Sequence, residues 1–493
     1  MFYIPPRWQK LMRLDLLFGL TGMFLAAVFL GVIAASGNFF LLAIAGTGSA
    51  GLLLLVWALI CKWSIPQLTL FVAVLLFFML EVIHKTLGLA LYGYWQAVVL
   101  MIGFLGLNKL WSEIKDSTVL RLSALAFAGF LILAILSSLL TSHSTANAAL
   151  FQLVSDLKFP LALGFGVYIG SKVDVSSAID RAIVVLIPVA MIFLLLQWVV
   201  PNAYLAVFRA SQIPAGSAAI FPSPGLSFFN HPSILAATAA VLAIYSFAKW
   251  QIYKKQAGYS WASFAALTFL LIASNQRQET FAFILAVTGI YILASKQGMA
   301  KRLVFATVAS LAVFSMYVFV FGDMFEREAS SWGIASLQAA THPRAQLYEN
   351  ALQVAQTYFP LGSGLGTYGG VGSSKYNLSF LYQLGFASNW WWVDKEAYLL
   401  DTYWPNSLAE SGFVGALLLL LHYLLFALHA LLKAYRSQSR RAKMLWLSAA
   451  GSFLWVLFTT PTSPGFQEIR LLFFPALMFG IAVNLDRKDI QHA

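Results

Sequence analysis

Charge is scarce in this chain of 493 residues. Only 10% of them are Asp, Glu, Lys or Arg, while 60% are hydrophobic. A soluble domain carries about a quarter charged residues, so an ordinary water-soluble fold is excluded. A mean hydropathy of +0.78 points to a polytopic membrane protein. Cysteine is nearly absent: Cys61 stands alone in an apolar run, which excludes a disulfide framework and a cysteine-based metal centre. No internal repeat and no low-complexity tract is present. The opening "MFYIPPRWQKLMRLD" lacks a small-residue cleavage site and is read as a cytoplasmic flank, not a removed signal peptide.

Long apolar runs are plentiful. A membrane-crossing helix needs ~20 apolar residues, and fourteen segments qualify, at about 16–35, 39–61, 66–83, 88–107, 119–140, 157–171, 182–200, 232–248, 260–274, 280–295, 303–321, 411–432, 444–458 and 470–485. With the N-terminus inside and strict alternation, 22 of the 31 Lys and Arg residues fall on the cytoplasmic side and nine outside. That asymmetry obeys the positive-inside rule, puts both termini in the cytoplasm and accounts for most of the net charge of +12. A nucleic-acid partner is therefore not needed.

The fold expected is all-α, with about 14 transmembrane helices in three parts. Residues 1–321 form a bundle of about 11 spans, residues 322–410 one large external loop, and residues 411–493 the last three spans. Long stretches without spans inside compact proteins are usually functional. This one holds Trp332, Trp390, Trp391, Trp392 and Trp404 and, counting Glu410 at its edge, eight of the nineteen acidic residues. Aromatics there suit sugar stacking as well as an interfacial belt.

Four stretches carry candidate chemistry. In "THPRAQLYENALQVAQTYFPLGSGLGTYGG", Pro343 suits a first helical turn. Leu347, Tyr348, Ala351, Leu352, Ala355 and Tyr358 recur at helical spacing, predicting an amphipathic helix on the membrane rim or over the bundle. Arg344 at its start, flanked by His342 and Tyr348, combines a guanidinium with unpaired N–H groups and suits a phosphate; the competing reading is a surface arginine on a packing helix. The GxGxxG match at Gly364, Gly366 and Gly369 follows a helix and sits in no βαβ unit, so dinucleotide binding is rejected. A tight loop that lets backbone approach a ligand is expected instead. In "SNQRQETF", Arg277 and Glu279 crowd a short external turn, which suggests a lined cavity, although a charge at a helix end can also snorkel. In "FPSPGLSFFNHPSILA", Asn230 and His231 precede a span and Arg209 shares their loop; these signals are weaker. Glu81 lies within a turn of the external end of its span, and an interfacial pair with His84 or Lys85 is expected. Finally, "DTYWPNSLAESGFVG" sets Asp401, Tyr403 and Trp404 before a span, equipment for a base beside a sugar platform. The bland alternative is that Asp401 and Glu410 only solvate the loop.

The order and spacing of these stretches over residues 220–415 resemble the bacterial O-antigen polymerase and O-antigen ligase superfamily. The likeness implies a multi-helix glycosyltransferase of the GT-C type in the bacterial inner membrane. It would be metal-independent and without cofactor, acting at the periplasmic face on undecaprenyl-diphosphate-linked glycans, with the bilayer and a possible chain-length regulator as partners. It also implies that Arg277 and Arg344 match the family's periplasmic arginines. Ligases carry a histidine eleven residues before the first glycine of a Gly-x-x-Gly pair. Counting back from Gly412 gives Asp401, in a "DTYWP" that is similar to polymerases. The reading is therefore a polymerase of O-antigen, capsule or exopolysaccharide repeat units, with Asp401, Arg344 and Arg277 as catalytic candidates. Arg209, Asn230, His231, Glu279, His342, Tyr348, Tyr403 and Trp404 are candidates for substrate binding. An O-antigen ligase, a protein O-oligosaccharyltransferase and a lipid-glycan flippase are the alternatives.

Overall fold

The structure is a computed structural model that describes residues 64–87, 90–208, 221–229, 231–254, 258–294, 298, 301–305, 308 and 342–491. Every regular element among them is helical. The predicted spans 16–35 and 39–61 and most of 303–321 lie outside these residues, as do Arg209 and Asn230; of Glu81 only the helical backbone is described.

The first helices are α1 (Ile65–Leu87), α2 (Tyr92–Asp116) and α3 (Thr118–Leu140). Then come α4 (Ala146–Asp156) and α5 (Lys158–Gly170), bent by 40° at Leu157. The apolar segment predicted at 157–171 is therefore the second half of a broken pair, with Asp156 and Lys158 buried at the break. Next are α6 (Val175–Val199), α7 (Pro201–Phe208), α8 (Pro232–Tyr253), α9 (Gly258–Ala273) and α10 (Arg277–Leu293). The chain ends in α15 (Trp404–Arg436), α16 (Arg440–Thr459) and α17 (Ile469–Gln491), after four short helices introduced below. Among the described residues, seven helices are long and apolar enough to cross a membrane, or eight if the bent pair makes one span.

Small residues set the central packing. α5 lies between α2 and α17. A Cβ on Gly103 or Gly106 would sit 2.0 Å from the carbonyl oxygen of Leu161 or Gly164 in α5. On the opposite face, a Cβ on Gly480 would sit 2.0 Å from Gly166. In a lipid environment helix association relies on such close backbone approach, because lipid is as apolar as leucine. Around this centre α3 packs on α15, and α16 contacts α8 and α10.

Residues 342–403 fold into a cap with its own small core. It contains α11 (Pro343–Thr357), α12 (Gly370–Tyr376), α13 (Ser379–Gln383) and α14 (Lys395–Leu399). Leu347, Ala351 and Val354 of α11 meet Tyr368, Phe380, Phe386, Trp391 and Leu399 there. The amphipathic helix thus exists, and it lies over the bundle against α15. Its buried face runs through Leu347, Ala351, Val354 and Ala355, whereas Leu352 is exposed.

The start of one helix differs from expectation. α15 begins at Trp404, seven residues before the apolar run. Gly412 interrupts it with φ 68°, and a Cβ there would sit 2.6 Å from the Pro360 carbonyl oxygen. Glu410 is consequently a buried group inside a helix and does not solvate the loop. Its Oε1 accepts from the N–H groups of Thr367 and Tyr368, each at 2.9 Å. The glycine loop 362–372 therefore closes on the protein itself. Besides Glu410 it meets Ser138 Oγ, which accepts from Leu365 N at 2.8 Å, and it packs on Ala148 of α4. The expectation that this loop approaches a ligand is corrected accordingly.

Candidate functional site

Four chain segments meet where α10 begins, where α11 begins, just before α15, and in the turn after α16. Two of the helices start the same way. His231 precedes Pro232 and His342 precedes Pro343, and each histidine is the N-cap of its helix. His231 Nδ1 accepts from Ser233 N and His342 Nδ1 from Arg344 N, both at 3.2 Å. The side chains thus satisfy N–H groups that a helix start leaves unpaired, a local structural role for both.

Arg344 is in the first turn of α11 and reaches the turn before α15. Its Nε donates to Asp401 Oδ2 at 2.9 Å, and an Nη donates to the same oxygen. The Asp401 side chain keeps 35% of its surface exposed and that of Arg344 23%. Burial outweighs the adjacent guanidinium and holds the Asp401 carboxyl above its ordinary range.

The turn after α16 ties the other pieces down. Thr460 Oγ1 accepts from Trp404 Nε1 at 2.7 Å, the Pro461 carbonyl from Tyr348 OH at 2.9 Å, and the Thr462 carbonyl from Gln278 Nε2 at 3.2 Å. Three successive residues thus hold α15, α11 and α10 in one arrangement. Burial pushes the Tyr348 hydroxyl above its usual range, which keeps the proton this bond uses.

Arg277 is the first residue of α10 and half-buried. Glu279, in the same turn, is 3% exposed. Gln278 Nε2 donates to its Oε1 at 3.1 Å, Trp455 Nε1 donates to its main-chain oxygen at 3.1 Å, and its Oε2 has no hydrogen-bond partner among the described residues. Arg344 and Asp401 lie close enough to act on it electrostatically. The arrangement brings Arg277, Glu279, His342, Arg344, Tyr348, Asp401 and Trp404 into one neighbourhood.

Tyr403 does not join them. It is fully buried, with its hydroxyl 2.6 Å from that of Tyr423, so the sugar-platform expectation is corrected: the ring belongs to the core. Within Trp390–Trp392, Trp391 is also core, donating from Nε1 to Gln346 Oε1 at 2.7 Å, while Trp390 is exposed.

A second polar cluster adjoins this region, and none of the four candidate stretches pointed to it. At the α4–α5 break Asp156 Oδ1 accepts from Gln467 Nε2 at 2.6 Å. Glu468 Oε1 accepts from Tyr92 OH and, at 3.1 Å, from Arg470 Nε, whose guanidinium lies 4.3 Å from the Tyr92 ring centre. Burial alone would raise Glu468, but Arg470 and Lys158 more than offset it and hold the carboxyl below its usual range. Proline and glycine in "TTPTSPGFQEIR" mark the turn that carries these residues, the one cue available beforehand.

Further ion pairs tie the opposite end of the helices. Lys249 pairs with Asp180 at 2.7 Å, Arg441 with Asp174, and Lys433 with Glu113 at 3.1 Å. Among the described residues no group of three or more His, Cys, Asp or Glu side chains is placed to hold a metal ion. No family model matches the chain, and no curated protein matches it.

Proposed function

We propose that this protein is a polymerase of undecaprenyl-diphosphate-linked oligosaccharide repeat units, working at the periplasmic face by inverting glycosyl transfer. The observation that carries the reading is the Arg344–Asp401 ion pair at a junction of four segments, beside the turn that begins with Arg277 and under an aromatic-rich cap. A diphosphate leaving group needs fixed cations, and guanidinium forks suit phosphate oxygens. In this reading Arg277 and Arg344 hold the diphosphate. Asp401 keeps the Arg344 fork aimed, and Tyr348 and Trp404 border the sugar path from the 460–462 turn. The remainder of the proposal is the whole-chain architecture: about fourteen spans in a GT-C arrangement, with the cap on the periplasmic side of a bacterial inner membrane. Arg209 and Asn230, outside the described residues, stay proposals of the sequence alone.

The test uses Arg277→Ala, Arg344→Ala and Asp401→Asn, each expressed in a strain lacking the protein. Loss of the glycan ladder, leaving single repeats, is expected for both arginine variants, and shortened chains for Asp401→Asn. Wild-type chain lengths in all three would sink the assignment. Free polymer accumulating in the deletion strain would instead indicate a ligase. The bent α4–α5 pair is the one observation that favours a lipid-glycan flippase, because transporters often place their sites at broken helices. Elongation of lipid-linked repeats by the purified chain in detergent separates the two.

A further inference from the structure

We infer that Glu279 is the group that removes the proton from the acceptor hydroxyl, an inference that rests on the transfer reaction proposed above. The two carboxylates of the site are held differently. Asp401 receives Nε and one Nη of Arg344 on one oxygen, so its charge is spent on fixing that cation. Glu279 is fixed from behind, through its main-chain oxygen by Trp455 and through Oε1 by Gln278, which is itself tied to Thr462. Its Oε2 is buried and left without a partner among the described residues.

A buried carboxylate oxygen without a donor is costly. A fold that holds the main-chain oxygen and Oε1 of this residue, and leaves Oε2 buried without a partner among the described residues, keeps one proton acceptor ready. The exclusion of water raises the basicity of that oxygen. The charged groups that face it from other elements are Arg344 on α11 and Asp401 before α15; Arg277 shares its helical turn. A diphosphate held by the arginines would therefore lie beside the oxygen that has to receive a proton.

The step balances. The acceptor O–H bond breaks and its proton passes to Glu279 Oε2. The freed electron pair forms the new bond to the anomeric carbon. The bond from that carbon to the diphosphate oxygen breaks, and the leaving oxygen takes its electrons beside the guanidinium groups. The proton returns to water when the product leaves. General-base assistance of this kind is worth about 10²–10⁴-fold.

The experiment uses the full purified chain in detergent, lipid-linked single repeats extracted from the deletion strain as substrate, and undecaprenyl diphosphate as the binding probe. Glu279→Gln is expected to bind undecaprenyl diphosphate within about threefold of wild type, to elongate at least about 100-fold more slowly, and to lose the acid limb of the pH–rate profile. Glu279→Asp, which keeps the charge but shortens the reach, is expected to elongate slowly with the acid limb retained. It also keeps the test open if Glu279→Gln does not fold. Elongation by Glu279→Gln within tenfold of wild type, an unchanged acid limb, a loss of binding equal to the loss of rate, or a wild-type rate for Glu279→Asp would each overturn the inference. In any of those cases a dead Arg344→Ala leaves the site assignment standing. If Arg344→Ala also binds and elongates like wild type, the assignment itself fails.

Discussion

Asp401 and Glu410 lie nine residues apart in the same quoted stretch and do different work. Asp401 faces a partly open neighbourhood and holds Arg344. Its carboxyl is raised by burial, so the folded state binds that proton more tightly than the unfolded chain does. Stability conferred at this position is present at low pH and falls as pH rises from the ordinary aspartate value through the raised one. Melting temperatures of wild type and Asp401→Asn followed across that window should converge on the acid side and separate above it. Equal pH slopes for the two proteins would contradict this. Glu410 works as backbone, replacing a missing acceptor for Thr367 and Tyr368. Glu410→Leu strands two buried N–H groups, each at about 1–3 kcal/mol, and should lower the melting temperature in detergent sharply. Glu410→Gln keeps a carbonyl oxygen and should stay close to wild type.

Among the elements, α5 and the 460–462 turn matter out of proportion to their length. α5 has only 13 residues but is the strut between α2 and α17. A Cβ on Gly164 would sit 2.2 Å from the Gly103 carbonyl oxygen. Gly164→Leu should therefore push the helices apart, at about 1–3 kcal/mol or more, and reduce thermostability, whereas Gly258→Ala, which meets nothing within 4 Å, should not. The 460–462 turn carries no charge and no motif, yet it orders three of the site's four segments. Thr460→Val leaves the Trp404 indole N–H unpaired. It should change elongation while leaving the melting temperature within a few degrees, a contrast that paired activity and melting curves would show.

At the scale of the whole molecule, the two ends differ in chemistry. The site end combines partly buried ion pairs with an aromatic cap, while the other holds Lys249, Lys433 and Arg441, each paired with a carboxylate and, among the described residues, without such a cap. Cys61 is the single native cysteine, so a Cys61→Ala background permits topology mapping. Trp390→Cys, at an exposed cap position, should react in intact cells with a membrane-impermeant maleimide, and Gln438→Cys only after lysis. The reverse pattern would invert the proposed orientation. Much of this scale was legible in advance. Among the described residues, every long apolar segment from 66–83 onward has a helix beneath it, because lipid imposes hydrophobicity on a helix wherever it happens to pack. The candidate site was legible only in part. Pro343 and Arg344 marked the start of a helix correctly, because caps and prolines act within one turn. Tyr403, Trp391 and the glycine loop were misassigned, because an aromatic or a glycine reads the same beside a sugar and beside another helix.

The sequence by itself determined that the chain is helical and apolar enough for a membrane, and where helices such as α11 begin. These are local or compositional properties, set by about one turn of chain or by the solvent that surrounds it. Only the tertiary structure decided that Arg344 meets Asp401 across 57 positions, that residues 460–462 bind three helices together, and that one oxygen of Glu279 has no donor among the described residues. Such facts depend on which surfaces pack against one another, and no periodicity along the chain records its neighbours across space.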